Sequence, residues 1–133
     1  MTKKEHCPFC GKNAYYHQIK PFTLHYKKHI ITVQQPGYWC NACHEGVIGN
    51  EDRKATQKAL QAFRAKVDGL LTPDAIKNIR IKLHIRQDEA GTLFGGGVNA
   101  FSRYERGITP IPRSTSQLLR ILNNHPNLLR ELA

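Results

Sequence analysis

The sequence predicts an α+β amino-terminal unit joined to an all-α carboxy-terminal unit. Three observations carry that prediction. Four cysteines form two C-x-x-C pairs, Cys7/Cys10 and Cys40/Cys43, and residues between the pairs alternate like strands. From Asn50 the apolar pattern changes from a period of two to the helical period. At residues 95–97 three consecutive glycines interrupt the helical half. A chain of 133 residues with 40% hydrophobic side chains suits one ordinary domain or two small ones, with modest cores.

The cysteines define the first unit. Each C-x-x-C pair can present two thiolates to one metal from a single tight turn, and two pairs complete a tetrahedral S4 shell around Zn2+. Cys7-Pro8-Phe9-Cys10-Gly11 has the form of a zinc-ribbon knuckle, and the glycine relaxes its turn. The amino-terminal unit is therefore expected to be zinc-ribbon-like, with one structural Zn2+ per chain held by Cys7, Cys10, Cys40 and Cys43. Rival chemistries fit less well. A rubredoxin-type iron site uses similar knuckles, but a strongly basic chain is an odd electron carrier. A dithiol redox pair leaves the second C-x-x-C without a role. Cys40-Asn41-Ala42-Cys43-His44 matches the C-x-x-C-H haem motif, which leaves Cys7 and Cys10 idle. His44 is the best spare ligand among the histidines. Four sulfurs leave no open coordination position, so no catalysis is expected from the metal.

Between the pairs, FTLHYKKHIITV alternates apolar and polar residues (Phe22, Leu24, Tyr26, then Ile31 and Val33), which predicts a β-hairpin turning at Lys27-Lys28. Gly37-Tyr38-Trp39 predicts a short strand feeding the second knuckle. From Asn50, read as an N-cap, one helix is expected with Ala55, Ala59, Phe63 and Val67 on its apolar stripe. Asp68-Gly69 ends it. These boundaries give a zinc-binding domain over residues 1–67, a linker over 68–72 and a helical domain over 73–133.

The formal charge is +10, from 20 lysines and arginines against 10 acidic residues. That balance favours a polyanionic partner, usually nucleic acid, with plain solubility as the alternative. The first residues, MTKKEHCPFC, have no apolar core of a signal peptide, and no apolar run approaches the roughly 18 residues of a membrane span. A cytoplasmic, nucleoid-associated protein without a membrane partner is expected.

In the second half, Thr72-Pro73-Asp74 starts a helix with Ala75, Ile76, Ile79 and Leu83 on its apolar face. A second helix is expected from Gln87 to Phe94, a third over VNAFSRYER, and a fourth opened by a Ser114/Gln117 capping box. Pro126 ends the fourth. Gly95, Gly97 and Ala100 match the G-x-G-x-x-A dinucleotide fingerprint, but that fingerprint must follow a strand. Here RQDEAGTLF reads as helix, and no alternating strand lies in residues 70–133. The glycines fit a helix-turn-helix instead. Counting from Gln87, Gly91 falls where two helices cross closely, Gly95 at the turn, and Phe101 where the recognition helix seats on the core. Gly96 and Gly97 are expected to open that helix, with bare N–H groups able to approach a phosphate. Asn99, Ser102, Arg103 and Arg106 follow the helical period on its exposed face. Asn can bond adenine and Arg guanine bidentately, so Asn99 and Arg103 are the expected base readers. Gln87, Ser102 and Arg106 are secondary or backbone contacts.

QDEAGTLFGGGVNAFSRYERG resembles the Cro/C1-type helix-turn-helix, and with the amino-terminal cysteine pairs the whole chain resembles the MqsA-type antitoxins. The resemblance implies an antitoxin that represses its own operon at palindromic double-stranded DNA. It implies a homodimer through the carboxy-terminal domain. It also implies neutralisation of an MqsR-type, mRNA-cleaving ribonuclease toxin by the amino-terminal domain. It places the family's base-reading pair on Asn99 and Arg103, its zinc ligands on the four cysteines, and a phosphate-contacting arginine on Arg64. Leu118, Leu122, Leu128, Leu129 and Leu132 are candidates for the dimer surface. The hairpin, the least distinctive part, should carry the toxin surface. Arg86 departs from the Ser or Thr usual at the cap of the second helix. The alternative function is a stand-alone helix-turn-helix transcription factor with a structural zinc domain, and the remaining one a redox or hydrolytic enzyme.

Overall fold

The computed structural model describes residues 3–132. The chain divides into two compact units, the first ending at Thr56 and the second starting at Gln57.

The first unit is a three-stranded antiparallel sheet of order β1-β2-β3, with β1 Tyr15–Tyr26, β2 His29–Cys40 and β3 Gly46–Val47. The β1–β2 hairpin turns at Lys27 and Lys28, as the alternation predicted. Both have positive φ (47° and 69°), the backbone of a two-residue type I′ turn, whose twist matches the strands it joins. Register follows from that turn: Phe22 faces Val33 and Leu24 faces Ile31. Gly37-Tyr38-Trp39 is part of the long β2, not a separate strand, because Tyr16, His17 and Gln18 extend β1 far enough to pair with it.

A five-residue helix, α1 Asn50–Lys54, packs on β2. Its N-cap is Gly49 rather than Asn50, and it makes no side-chain cap bond. The single helix expected from residue 50 is broken at Ala55-Thr56. Thr56 is drawn aside by its hydroxyl bond to the Gln35 side chain, and Gln35 in turn donates to Asp52 O and Pro36 O at 2.8 Å. Gln35 is only 2% exposed, so these bonds satisfy an otherwise costly buried amide. The break resets the helical phase. In α2, Gln57–Asp68, the buried residues are Gln61 and Ala65, while Ala59 of the expected stripe is exposed.

Helix α2 belongs to the second unit. There it packs with α3 Pro73–Lys82, α4 Gln87–Phe94, α5 Ala100–Arg106, α6 Arg113–Asn124 and a closing 3-10 turn, Pro126–Leu132. Lys58 of α2 pairs with Asp74 of α3 at 2.6 Å, and the Gln57 amide donates to Arg106 O at 3.3 Å. Residues 68–72, expected as a linker, are tied to α6: Arg113 donates to Asp68 O, Arg120 to Gly69 O, and Ser116 Oγ accepts the Leu71 N–H. Thr72 caps α3 as expected, accepting the Ala75 N–H at 3.2 Å. The Ser114/Gln117 capping box does not form. Helix α6 starts directly after Pro112, which leaves Ser114 inside its first turn.

The core of this unit gathers Ile76 and Ile79 from α3, Leu83 at its C-cap, Ala90 from α4, Ala100, Phe101 and Tyr104 from α5, Ile111, and Leu119 and Leu122 from α6. Phe101 lies at its centre, fully buried, with ring contacts to Phe94 and Tyr104.

Candidate metal centre and helix-turn-helix surface

The two knuckles of the first unit have the same local geometry. In each, the residue after the second cysteine takes a left-handed conformation and donates its N–H to the carbonyl of the first. Gly11 (φ 79°) bonds Cys7 O at 2.8 Å, and His44 (φ 67°) bonds Cys40 O at 2.9 Å. In each, a backbone N–H two residues on donates to the first sulfur: Phe9 to Cys7 Sγ and Ala42 to Cys40 Sγ, both at 3.3 Å. His44 thus serves the turn, and the group of possible ligands is the four cysteines alone among the described residues.

Pairing of β1 with β2 brings the knuckles together. All four sulfurs lie within 4.8 Å of one another, with Cys7–Cys43 and Cys10–Cys40 at 3.7 Å. That is far too long for disulfides. It matches a tetrahedron of sulfurs around Zn2+, whose edge is about 3.8 Å for Zn–S bonds of about 2.3 Å. The residues therefore fit one structural zinc. Cys7 and Cys40 are buried against Tyr15, and Cys10 is exposed. The Cys40 and Cys43 thiols are pushed in opposite directions. The Cys43 N–H, working against burial, brings Cys40 down to about 6. Cys43 goes up to about 12: the Glu45 N–H lowers it, but burial and the neighbouring Cys7, Cys40 and Cys10 thiols outweigh that. A divalent ion favours the thiolate at all four.

In the second unit, α4 and α5 form a helix-turn-helix around the glycines. Gly95, Gly96 and Gly97 all have φ between 93° and 95°, backbone that side-chain-bearing residues rarely adopt. Gly91 is required by close approach. A Cβ there would sit 1.9 Å from Gly97 O. Helix α5 begins at Ala100, so Gly96 and Gly97 belong wholly to the turn and do not open the helix. Opening it three residues earlier would demand negative φ at glycines that the turn holds positive.

The sequence-predicted readers come together at this end. Asn99 is the N-cap of α5, yet its side chain makes no cap bond and is exposed. Asn is among the strongest N-caps, so an unused amide there is free for an outside partner. Arg103, one turn on, makes no side-chain hydrogen bond or ion pair among the described residues. Arg106 and Ser102 are bound to each other, Nε to Oγ at 3.1 Å. Gln87 turns inward and donates to Glu105 Oε1 at 3.2 Å.

Sequence reasoning missed Glu105. It sits on the back of α5, 6% exposed, in a bidentate pair with Arg80 of α3 at 2.8 and 2.9 Å. Arg80 also donates to Ile85 O, so one guanidinium joins α3, the α3–α4 connection and α5. Only tertiary contact reveals this pair, since the partners are 25 residues apart. Arg64 lies half-buried on α2. Of the dimer candidates, Leu122 is in the core, Leu118 and Leu129 pack against it, and Leu128 and Leu132 are exposed; Ile121, which was not among them, is 51% exposed.

A four-cysteine sheet unit followed by a helix-turn-helix unit defines a two-unit, metal-stabilised class of protein. Residues 5–133 match the family described as the antitoxin component of bacterial toxin-antitoxin systems, MqsA. The chain is 40% identical over 129 residues to Antitoxin MqsA of Escherichia coli (strain K12), covering 95% of this chain and 98% of that one. The chain belongs to the MqsA antitoxin family. No helix among the described residues is long and apolar enough to cross a membrane.

Proposed function

We propose that this antitoxin represses its own operon as a homodimer that reads a palindromic site through Asn99 and Arg103. We also propose that its first unit neutralises an MqsR-type, mRNA-cleaving ribonuclease. The observation that carries the DNA reading is the unused Asn99 amide at the head of α5, one turn from an unpaired Arg103. Two such helices, one per protomer, would enter successive major grooves about 34 Å apart. Arg64, Ser102 and Arg106 serve as secondary contacts, the last two as a mutually braced pair. Exposed Leu128, Leu132 and Ile121 supply apolar surface for the second protomer.

The toxin reading is supported by the hairpin. Ile19 and Ile30 are 63% and 61% exposed, and the register puts both on one sheet face, with Thr23 and Thr32 bonded between them. With its metal position closed by four sulfurs, this reading contains no catalytic step. Two assays test it. Asn99→Ala and Arg103→Ala should each lose about 1–3 kcal/mol on the operator and little on random DNA; equal losses on both would remove the base-reading role. The product of the adjacent reading frame should co-purify with wild type and with both variants. Failure to co-purify with any of them would remove the toxin reading.

A further inference from the structure

Val98 carries a feature that neither the core nor the polar readers account for. Gly97 O accepts the Ala100 N–H at 3.1 Å, so Val98 and Asn99 are the two corner residues of one turn. Asn99, at φ −100° and ψ −1°, has the backbone of the second corner of a type I turn. Corner side chains project away from the turn, and Val98 is 56% exposed. It does not seat α5, because Ala100, Phe101 and Tyr104 do that. Turn corners commonly take Asn, Asp, Ser, Gly or Pro, and an exposed β-branched side chain gains nothing there from water.

A single exposed apolar residue is ordinary. The position is what makes this one informative, since Val98 directly precedes Asn99 at the head of the helix that carries Ser102, Arg103 and Arg106. On the edges of base pairs in the major groove the apolar feature is the thymine 5-methyl group. Consecutive Cα atoms are about 3.8 Å apart, close to the roughly 3.4 Å rise between base pairs, so adjacent corners can address adjacent steps.

We propose that Val98 is a specificity-determining residue that packs against the 5-methyl of a thymine neighbouring the base bonded by Asn99. The proposal rests on the DNA reading above. Val98 also borders a groove of about 840 Å³ along α4 and the closing 3-10 turn, with Leu93, Leu129 and Leu132. Packing against a second protomer there is the rival role.

The test uses the full-length, zinc-loaded protein and a duplex enriched by it from a random-sequence pool. The duplex is prepared once with thymine and once with deoxyuridine throughout, which removes every 5-methyl and leaves the hydrogen-bonding edges intact. Wild type should prefer the thymine duplex. In Val98→Ala that preference should shrink by about fourfold per half-site, the size expected for one buried methyl-sized contact. Val98→Thr, which keeps one methyl, should fall between and guards against a folding defect in the alanine variant. Any effect of uracil on duplex stiffness is common to the proteins and cancels. An unchanged thymine preference in Val98→Ala overturns the proposal. An altered sedimentation coefficient with unchanged preference overturns it in favour of the protomer contact. If wild type enriches no duplex, the DNA reading itself fails and Val98 loses its role with it.

Discussion

The sheet unit and the helical unit are held together by different means. Below Thr56 the cluster of buried apolar side chains is Cys7, Tyr15 and Cys40, and two of those are metal ligands. Above Gln57, ten buried side chains from α3–α6 and the segments joining them form a continuous core around Phe101. A long hairpin with two exposed isoleucines and so small a core cannot offset its chain entropy by burial alone. Coordination supplies what packing does not. The helical unit needs no metal, because its amphipathic faces close on one another. The difference teaches that chelation and core truncation should damage different halves of one chain.

The largest expected effect comes from removing the metal. Structural zinc contributes on the order of 10 kcal/mol or more to small folds, so a chelator or Cys40→Ser should unfold the sheet unit. The chain's one tryptophan, Trp39, lies beside Cys40 in β2 and reports on that unit alone. Its emission should shift to that of exposed indole while helical circular dichroism at 222 nm persists. Retained Trp39 emission in chelator would break the comparison. Phe101→Ala is the mirror experiment. It should destabilise the helical unit by about 3–5 kcal/mol and leave Trp39 emission and zinc content unchanged. Loss of zinc from that variant would show that the two halves are not independently held.

Gly91→Ala should follow, at about 1–3 kcal/mol, since its methyl collides with the Gly97 carbonyl and must push the turn open. A thermal melt equal to wild type would contradict the close crossing of α4 and α5. The smallest effect belongs to Asp74, whose carboxyl the Lys58 ammonium holds below its usual range. A depressed carboxyl contributes stability above its unfolded value of about 3.9, and that stability is lost as pH falls through the folded value. Asp74→Asn should therefore lower the helical melting temperature slightly at neutral pH and not at acid pH, with high salt erasing the difference. A gap that widens on acidification would reverse the assignment.

Legibility in the sequence followed the range of the interaction. The cysteine knuckles are local motifs four residues long, so their ligand role could be read directly, and the register of one hairpin then brought them together. The glycine turn was equally local, and Gly91 could be read as a crossing point from spacing alone. The start of α5 was misplaced because helix period does not reveal that Gly96 and Gly97 have positive φ. The helix expected from residue 50 was broken by Gln35, a strand residue 21 positions before Thr56. The Ser114 cap failed because Pro112 starts α6 earlier and because Ser116, one of the deepest residues, holds the Leu71 N–H.

By itself the amino-acid sequence determined the element types, the four-sulfur site and the turn that sets α5 apart. These depend on residues within a few positions of one another, where backbone preference and ligand spacing act without outside help. Tertiary structure alone decided that α2 joins the helical unit and that Arg80 clamps Glu105. It also decided that Gln87 faces inward while Asn99 and Val98 are left exposed. Those outcomes depend on burial and pairing between segments far apart in the chain, and no local preference encodes which distant partner a polar group will find.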